Sequence, residues 1–222
     1  MTQNQTHAPP YRHVAWCYDA LASAYSLGAI DRAKAIHHGL VSKGDHVLYA
    51  GAGRGSEIAG AIERGAVVTC VEPCPAMASR LHRRLAHRAD NFTIVPRPIQ
   101  AIPAVPVYDL VIAHFFLNVF DTTTMPVVLE QLCGFVKPGG QFVIADFAPP
   151  QADATALDRL TRAAYYRPVN LVGRLLGICS LHPIFDYAPL LIEHGMSIRS
   201  REPVRMLPGL PVLYEVITSH CA

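Results

Sequence analysis

The chain has 222 residues, 51% of them hydrophobic and 16% charged, with a formal net charge of +2. That length suits one domain with an embellishment, the charge is too small for a nucleic-acid footprint, and no apolar run reaches the ~18–20 residues of a membrane-spanning helix. The opening MTQNQTHAPP has neither the basic nor the apolar region of a secretory signal, so a cytoplasmic protein without a nucleic-acid partner is expected.

Taken in chain order, residues 14–40 predict a first helix, with Tyr18, Leu21, Tyr25 and Ile30 near helical spacing and no proline. Ser42-Lys43-Gly44-Asp45 ends it, and His46–Ala50 is a short apolar strand. A helix over Ser56–Arg64, a strand over Ala66–Val71, a helix from Pro75 to about His87 and a strand over Phe92–Val95 follow. The run Arg80 to Arg88 is dense in basic residues and reads as a solvated helix face. Tyr108–Ala113 is a fourth strand with too little alternation to face water, and Thr122–Val136 a helix. Lys137-Pro138-Gly139-Gly140 reads as a turn that launches a fifth strand, Gln141–Phe147.

After Pro149-Pro150 the rhythm changes. Residues 152–164 and Val169–Cys179 predict two helices separated at Tyr165-Tyr166-Arg167-Pro168, and Tyr187–His194 a further one. Ser197–Val204 and Val212–Thr218 are β-like and joined by a short Pro/Gly link, so they most simply pair antiparallel. The expected class is α/β: a doubly wound, Rossmann-like, seven-stranded sheet, mostly parallel with an antiparallel C-terminal pair. Within one domain, residues 1–43 form an N-terminal helical cap, 44–150 the core, 151–185 an inserted helical lid, and 186–222 the last helix and closing strands.

Cys17, Cys70, Cys74, Cys133, Cys179 and Cys221 form no CxxC, and His37-His38 are adjacent rather than i,i+4. Reduced thiols and no metal are expected. The chemistry-bearing motif is VLYAGAGRGSE, a strand running into Gly51-x-Gly53-x-Gly55 and a helix. Glycine lets a ligand approach the main chain at a helix N-terminus. The dinucleotide fingerprint needs its third glycine one position later, where this chain has Ser56, so a ligand without phosphate matches better. Glu72 ends the second strand 21 residues after Gly51, where an acid accepts hydrogen bonds from both ribose hydroxyls.

With the glycine loop, Glu72, the YDLV strand, the KPGG turn and the terminal strand pair, the chain resembles class I S-adenosylmethionine-dependent methyltransferases. It is most similar to the ubiquinone/menaquinone-biosynthesis C-methyltransferases, through Val14-Ala15 with Tyr18-Asp19, Ile112-Ala113 with Asn118-Val119 and Asp121, and Lys137–Gly140. The resemblance implies S-adenosyl-L-methionine as cofactor. Gly51, Ala52, Gly53 and Gly55 would pack against its methionine end, Glu72 hold the ribose with Pro73 beside the adenine, and Ile99 and Gln100 touch the adenine. Ala113 and His114 would flank the methionine carboxylate or sulfonium, with Tyr18 reaching down from the N-terminal helix. Tyr49 stands where the family carries an acid, its hydroxyl able to accept or bridge through water. Pro98 and Leu117 stand in place of an aspartate and an arginine.

A weak nucleophile needs a base within hydrogen-bond reach, and His114, Tyr165, Tyr166 and His182 are the candidates. The aromatic and aliphatic segment Arg162–Tyr187 suits an apolar, lipid- or quinone-like small-molecule acceptor and permits peripheral contact with a membrane surface. Two other readings stay open: a nicotinamide-dependent oxidoreductase, and a protein that binds S-adenosylmethionine without transferring its methyl group or uses it for different chemistry. The accepting atom and the oligomeric state are not fixed by the sequence.

Overall fold

The computed structural model of the chain describes residues 25–51, 55–85, 90–151, 154–175 and 183–221. The strands are β1 His46–Ala50, β2 Val67–Val71, β3 Phe92–Val95, β4 Tyr108–His114, β5 Val136–Phe147, β6 Met196–Val204 and β7 Tyr214–Cys221. They form one seven-stranded sheet in the order β3-β2-β1-β4-β5-β7-β6. The first five pair in parallel, and β7 runs antiparallel to both β5 and β6. This is the expected mixed α/β sheet with its antiparallel end.

Strand alternation divides the core into two layers. Val47 and Tyr49 of β1, Leu110 and Ile112 of β4 and Tyr214 and Val216 of β7 face one side. There they meet helices α1 (Ala29–Ala35), α2 (Ser56–Glu63), α3 (Pro75–Leu85) and α5 (Ala156–Leu175). Leu48 and Ala50, Val111 and Ala113, and Phe142 and Ile144 face the other side, against α4 (Thr124–Cys133) and α6 (Tyr187–Glu193). Both faces are covered, which is why the central strands read as continuous apolar runs.

Three expectations need correction. The helix predicted over 14–40 is not continuous in its described part: Leu27 and Gly28 have φ of 50° and 74°, so α1 begins at Ala29. It tightens into a 3-10 turn over Ile36–Leu40. The KPGG segment is not a turn before β5 but lies inside it. Tyr108 pairs with Val136 and Leu110 with Gln141, so residues 137–140 loop out opposite Asp109. A Cβ at Gly140 would sit 2.9 Å from the carbonyl oxygens of Lys137 and Tyr108, so only glycine permits this excursion.

The two helices predicted on either side of Tyr165–Pro168 are one, α5, with Pro168 inside it. Tertiary anchoring overrides the local cost of the proline here. The guanidinium of Arg162, 6% exposed, donates to the carbonyls of Ala148 and Val212, and the Tyr166 hydroxyl donates to Leu213 O at 2.5 Å. These groups fasten α5 across the ends of β5 and β7. Replacing Arg162 by Met would leave two buried carbonyls without donors, and we expect a loss of about 2–4 kcal/mol in urea denaturation. Proteolysis would cut first within α5.

Candidate functional site

Strand order reverses between β1 and β4, whose neighbouring connections pass to opposite faces of the sheet. In open α/β sheets that reversal opens a crevice beyond the carboxyl ends of the strands. Here its walls are Tyr49, Ala50 and Gly51 on one side and Ala113 and His114 on the other, with Ala50 paired to Ala113. Gly51 has φ of 89°, and its N–H donates to Val71 O at 2.9 Å. A Cβ there would come 3.3 Å from the Phe116 ring. Gly55, φ 71°, starts α2, and its missing Cβ leaves room for Leu81.

At the end of β2 the Glu72 carboxylate is buried, and its Oε1 accepts the Cys74 N–H at 2.8 Å. Pro73 and Gln100 are exposed, whereas Ile99 is buried in a 3-10 turn. The Gln131 amide fixes that turn by donating to Ile99 O and Ile102 O at 2.7 and 2.6 Å. Ala113 is fully buried on the α4 side of the sheet, so it and His114 face opposite ways. Tyr18, Ala52, Gly53 and His182 lie outside the described residues.

Beneath the crevice lies a polar cluster absent from the sequence reading. Glu57, in the first turn of α2, has its Oε1 3.3 Å from Lys34 Nζ and its Oε2 2.6 Å from His114 Nδ1. Burial pushes its carboxyl up, but Lys34 and the hydrogen bond from His114 outweigh that and hold it well below the usual range. His37 Nδ1 donates to Lys34 O at 2.5 Å, and its Nε2 accepts from the Tyr49 hydroxyl at 2.7 Å. Tyr49 therefore shares its one proton between this core histidine, the nearer acceptor, and the main-chain oxygen of Glu57 at 3.3 Å. Burial, helped by His114 and His38, lowers His37 to about 3, so the ring is neutral. His114, its side chain 4% exposed, keeps a buried Nε2 with no hydrogen-bond partner. The signals for this cluster were Glu57 just past the glycine loop and Lys34 and His37 one helical turn apart, each of which also reads as surface.

Beyond His114 the chain bends sharply, since Phe115 has φ of 50°, a costly conformation for a bulky residue. Its ring opens an aromatic wall: Phe115 packs edge-on to Phe147 and Tyr214 at 5.8 and 5.7 Å, and Phe147 edge-on to Tyr166 at 5.3 Å. Tyr165 shares a hydroxyl–hydroxyl bond with Tyr214, and Tyr25 stacks on its ring at 4.5 Å. Both candidate tyrosines thus have occupied hydroxyls, and burial pushes Tyr165 up to about 12 and Tyr166 higher still. Asp146, at the end of β5, is pinned by the Tyr187 hydroxyl at 2.8 Å.

The cluster makes stability depend on pH. His37 is lowered from 6.5 to about 3, so between those values the unfolded chain binds a proton that the folded one does not. Its contribution is complete above about pH 6.5 and falls as the medium is acidified, by at most about 1.4 kcal/mol per pH unit. The depressed Glu57 adds loss in the same direction below about its ordinary value of 4.5. Urea midpoints measured from pH 7.5 to 5 should therefore decline, and His37→Gln should flatten the decline while lowering the whole curve.

Residues 47–140 match a family described as a methyltransferase domain. No curated protein sequence matches the chain. Among solved structures, one similar fold is the 1,6-didemethyltoxoflavin-N1-methyltransferase of Burkholderia thailandensis, with bound 1,6-didemethyltoxoflavin and S-adenosylhomocysteine. It is 21% identical at a TM-score of 0.63, over 100% of this chain and 93% of that one. The geranyl diphosphate C-methyltransferase of Streptomyces coelicolor A3(2), in complex with Mg2+, geranyl diphosphate and S-adenosylhomocysteine, is 15% identical at 0.67, over 86% and 77%. The [4+2]-cyclase SpnF is 12% identical at 0.63, over 96% and 97%. At these identities the likeness is one of fold. The match over residues 47–140 is to a methyltransferase-domain family, and the fold is one that solved methyltransferases with bound S-adenosylhomocysteine also have.

Proposed function

We propose that the protein transfers a methyl group from S-adenosylmethionine to a small, largely apolar acceptor, with the crevice between β1 and β4 as its active site. The observation that carries this reading is the glycine turn of β1 set beside a buried strand-end acid at the point where strand order reverses. When bound, the cofactor supplies a methyl group already activated on a sulfonium, so the protein's work is positioning and the exclusion of water.

The residues present fit that cofactor. The space beside Gly51 would be filled by any Cβ, and Gly55 lets the chain enter α2 in a left-handed turn. Glu72, braced by the Cys74 N–H, accepts the ribose hydroxyls, while Pro73, the rigidly held Ile99 and the exposed Gln100 border the adenine. Ala113 and His114 close the methionine end. Tyr49 acts indirectly: its hydroxyl is held by His37, and it shapes the floor of the crevice without a charge.

On the acceptor side, Phe115, Phe147, Tyr165, Tyr166 and Tyr214 supply an aromatic wall, which supports a flat acceptor of the quinol type over a strongly polar one. Among the described residues no helix is long and apolar enough to cross a membrane. Of the candidate bases, His114 has an unengaged nitrogen, whereas the Tyr165 and Tyr166 hydroxyls are already bonded.

A second reading is binding of the cofactor with different chemistry. It is favoured by the uncharged Tyr49 at the end of β1 and by the occurrence of a cyclase among proteins of this fold. Calorimetric titration with S-adenosylmethionine, S-adenosylhomocysteine and NADH tests the site. We expect the first two to bind and NADH not to. Glu72→Ala should weaken them at least about 10-fold, the loss of one charge-assisted hydrogen bond or more. NADH binding in their place would overturn the assignment, and tritiated methyl transfer to an acceptor panel that includes quinols separates transfer from binding alone.

A further inference from the structure

We propose, resting on methyl transfer as read above, that Glu57 is a positioning residue that fixes His114 with its proton on Nδ1, so that Nε2 takes the proton of an aromatic acceptor methylated at an O–H or N–H group.

A carboxylate oxygen only accepts, so the 2.6 Å contact between Glu57 Oε2 and His114 Nδ1 puts a hydrogen on Nδ1. What remains open is whether Nε2 is also protonated. It is buried and has no partner, and a buried N–H without an acceptor costs more than an unshared lone pair, the more so when the ring is charged. The charges around the ring are already matched. Lys34 already balances Glu57, and the His37 ring lies 4.8 Å from that of His114. The groups facing His114 are therefore one carboxylate, one ammonium and one neutral imidazole, with His38 and Tyr49 packed behind His37. The neutral Nδ1–H ring with a bare Nε2 is the state that this arrangement holds.

Such a state is a poised base. When an acceptor's oxygen or nitrogen forms its bond to the methyl carbon, the carbon–sulfur bond breaks with its electron pair remaining on sulfur. The acceptor's proton passes to His114 Nε2. The imidazolium so formed keeps its hydrogen bond to Glu57, which becomes a full ion pair, and the proton returns to water after the product leaves. A thiol, already partly ionised near neutral pH, has little use for such a base. A phenolic hydroxyl or a ring N–H needs one, and the aromatic wall beginning at Phe115, the next residue, is built for a ring. The substrate class is thus a flat aromatic with a weakly acidic O–H or N–H.

The test is nitrogen NMR of histidine-labelled protein in complex with S-adenosylhomocysteine, with His114 assigned through H114N. Histidine free in solution prefers the opposite tautomer, so the outcome discriminates. We expect His114 in the wild type at pH 7–8 as neutral Nδ1–H with at least about 10:1 preference, the value of one charge-assisted hydrogen bond. In E57Q, whose amide can donate as well as accept, that preference should fall to a mixture. An Nε2–H ring or a standing imidazolium in the wild type overturns the proposal by itself, whether or not E57Q folds. Failure of S-adenosylhomocysteine to bind the wild type overturns instead the methyl-transfer reading, and this proposal with it.

Discussion

One carboxylate ties the crevice face of the sheet together. Glu57 sits where α1, α2 and β4 converge, and it is joined to Lys34 on the first and to His114 on the last. Burying a carboxylate is expensive, and it is tolerated here because both oxygens are engaged by opposite charge or a donor. Removing Lys34 would leave a buried charge uncompensated, a loss of about 3–5 kcal/mol in comparable settings. The glycine turn that precedes Glu57 and the histidine that faces it are therefore not positioned independently. The same ion pair sets the entry of α2 and the orientation of the imidazole.

Around that point the protein separates two jobs by layer. The α4 and α6 side of the sheet is apolar packing, with Val128, Leu129, Leu132 and Leu191 fully buried against β4 and β5. The opposite side carries the polar cluster beneath β1 and β4 and, beside it, the aromatic wall under α5. Alternation along β4 assigns Ala113 to the first layer and His114 to the second. The small residue lets the sheet close tightly, and the titratable one stands at the crevice. The proposed methyl transfer would demand little beyond alignment, dryness and a place for a proton, and adjacent parts of one face would supply all three.

The helix α5 completes that face by anchors at its middle rather than by its own propensity. Arg162 and Tyr166, four residues apart, both hold main-chain carbonyls at the β5 and β7 ends. Tyr165 between them turns to Tyr214 and Tyr25. The wall that would meet the acceptor is thus locked to the sheet, which favours a preformed site over one assembled on binding.

Much of this was determined by the sequence itself. The βαβ rhythm, the glycine turn, Glu72 at its fixed distance and the closing antiparallel pair follow from periodicity and turn chemistry, which act over a few residues. The likeness of residues 47–140 to a methyltransferase domain is legible for the same reason. The cluster at Glu57 was not, because its bonds join residues 23 and 57 positions apart, and a first-turn glutamate next to a glycine loop reads equally well as a solvated cap. Nor could local rules foresee Pro168 inside a helix or the KPGG loop inside a strand. In each, contacts made only when the sheet closes outweigh the local preference. Where the chain's neighbours in sequence decide the free energy, the sequence is enough; where partners dozens of residues away decide it, only the folded structure shows the outcome.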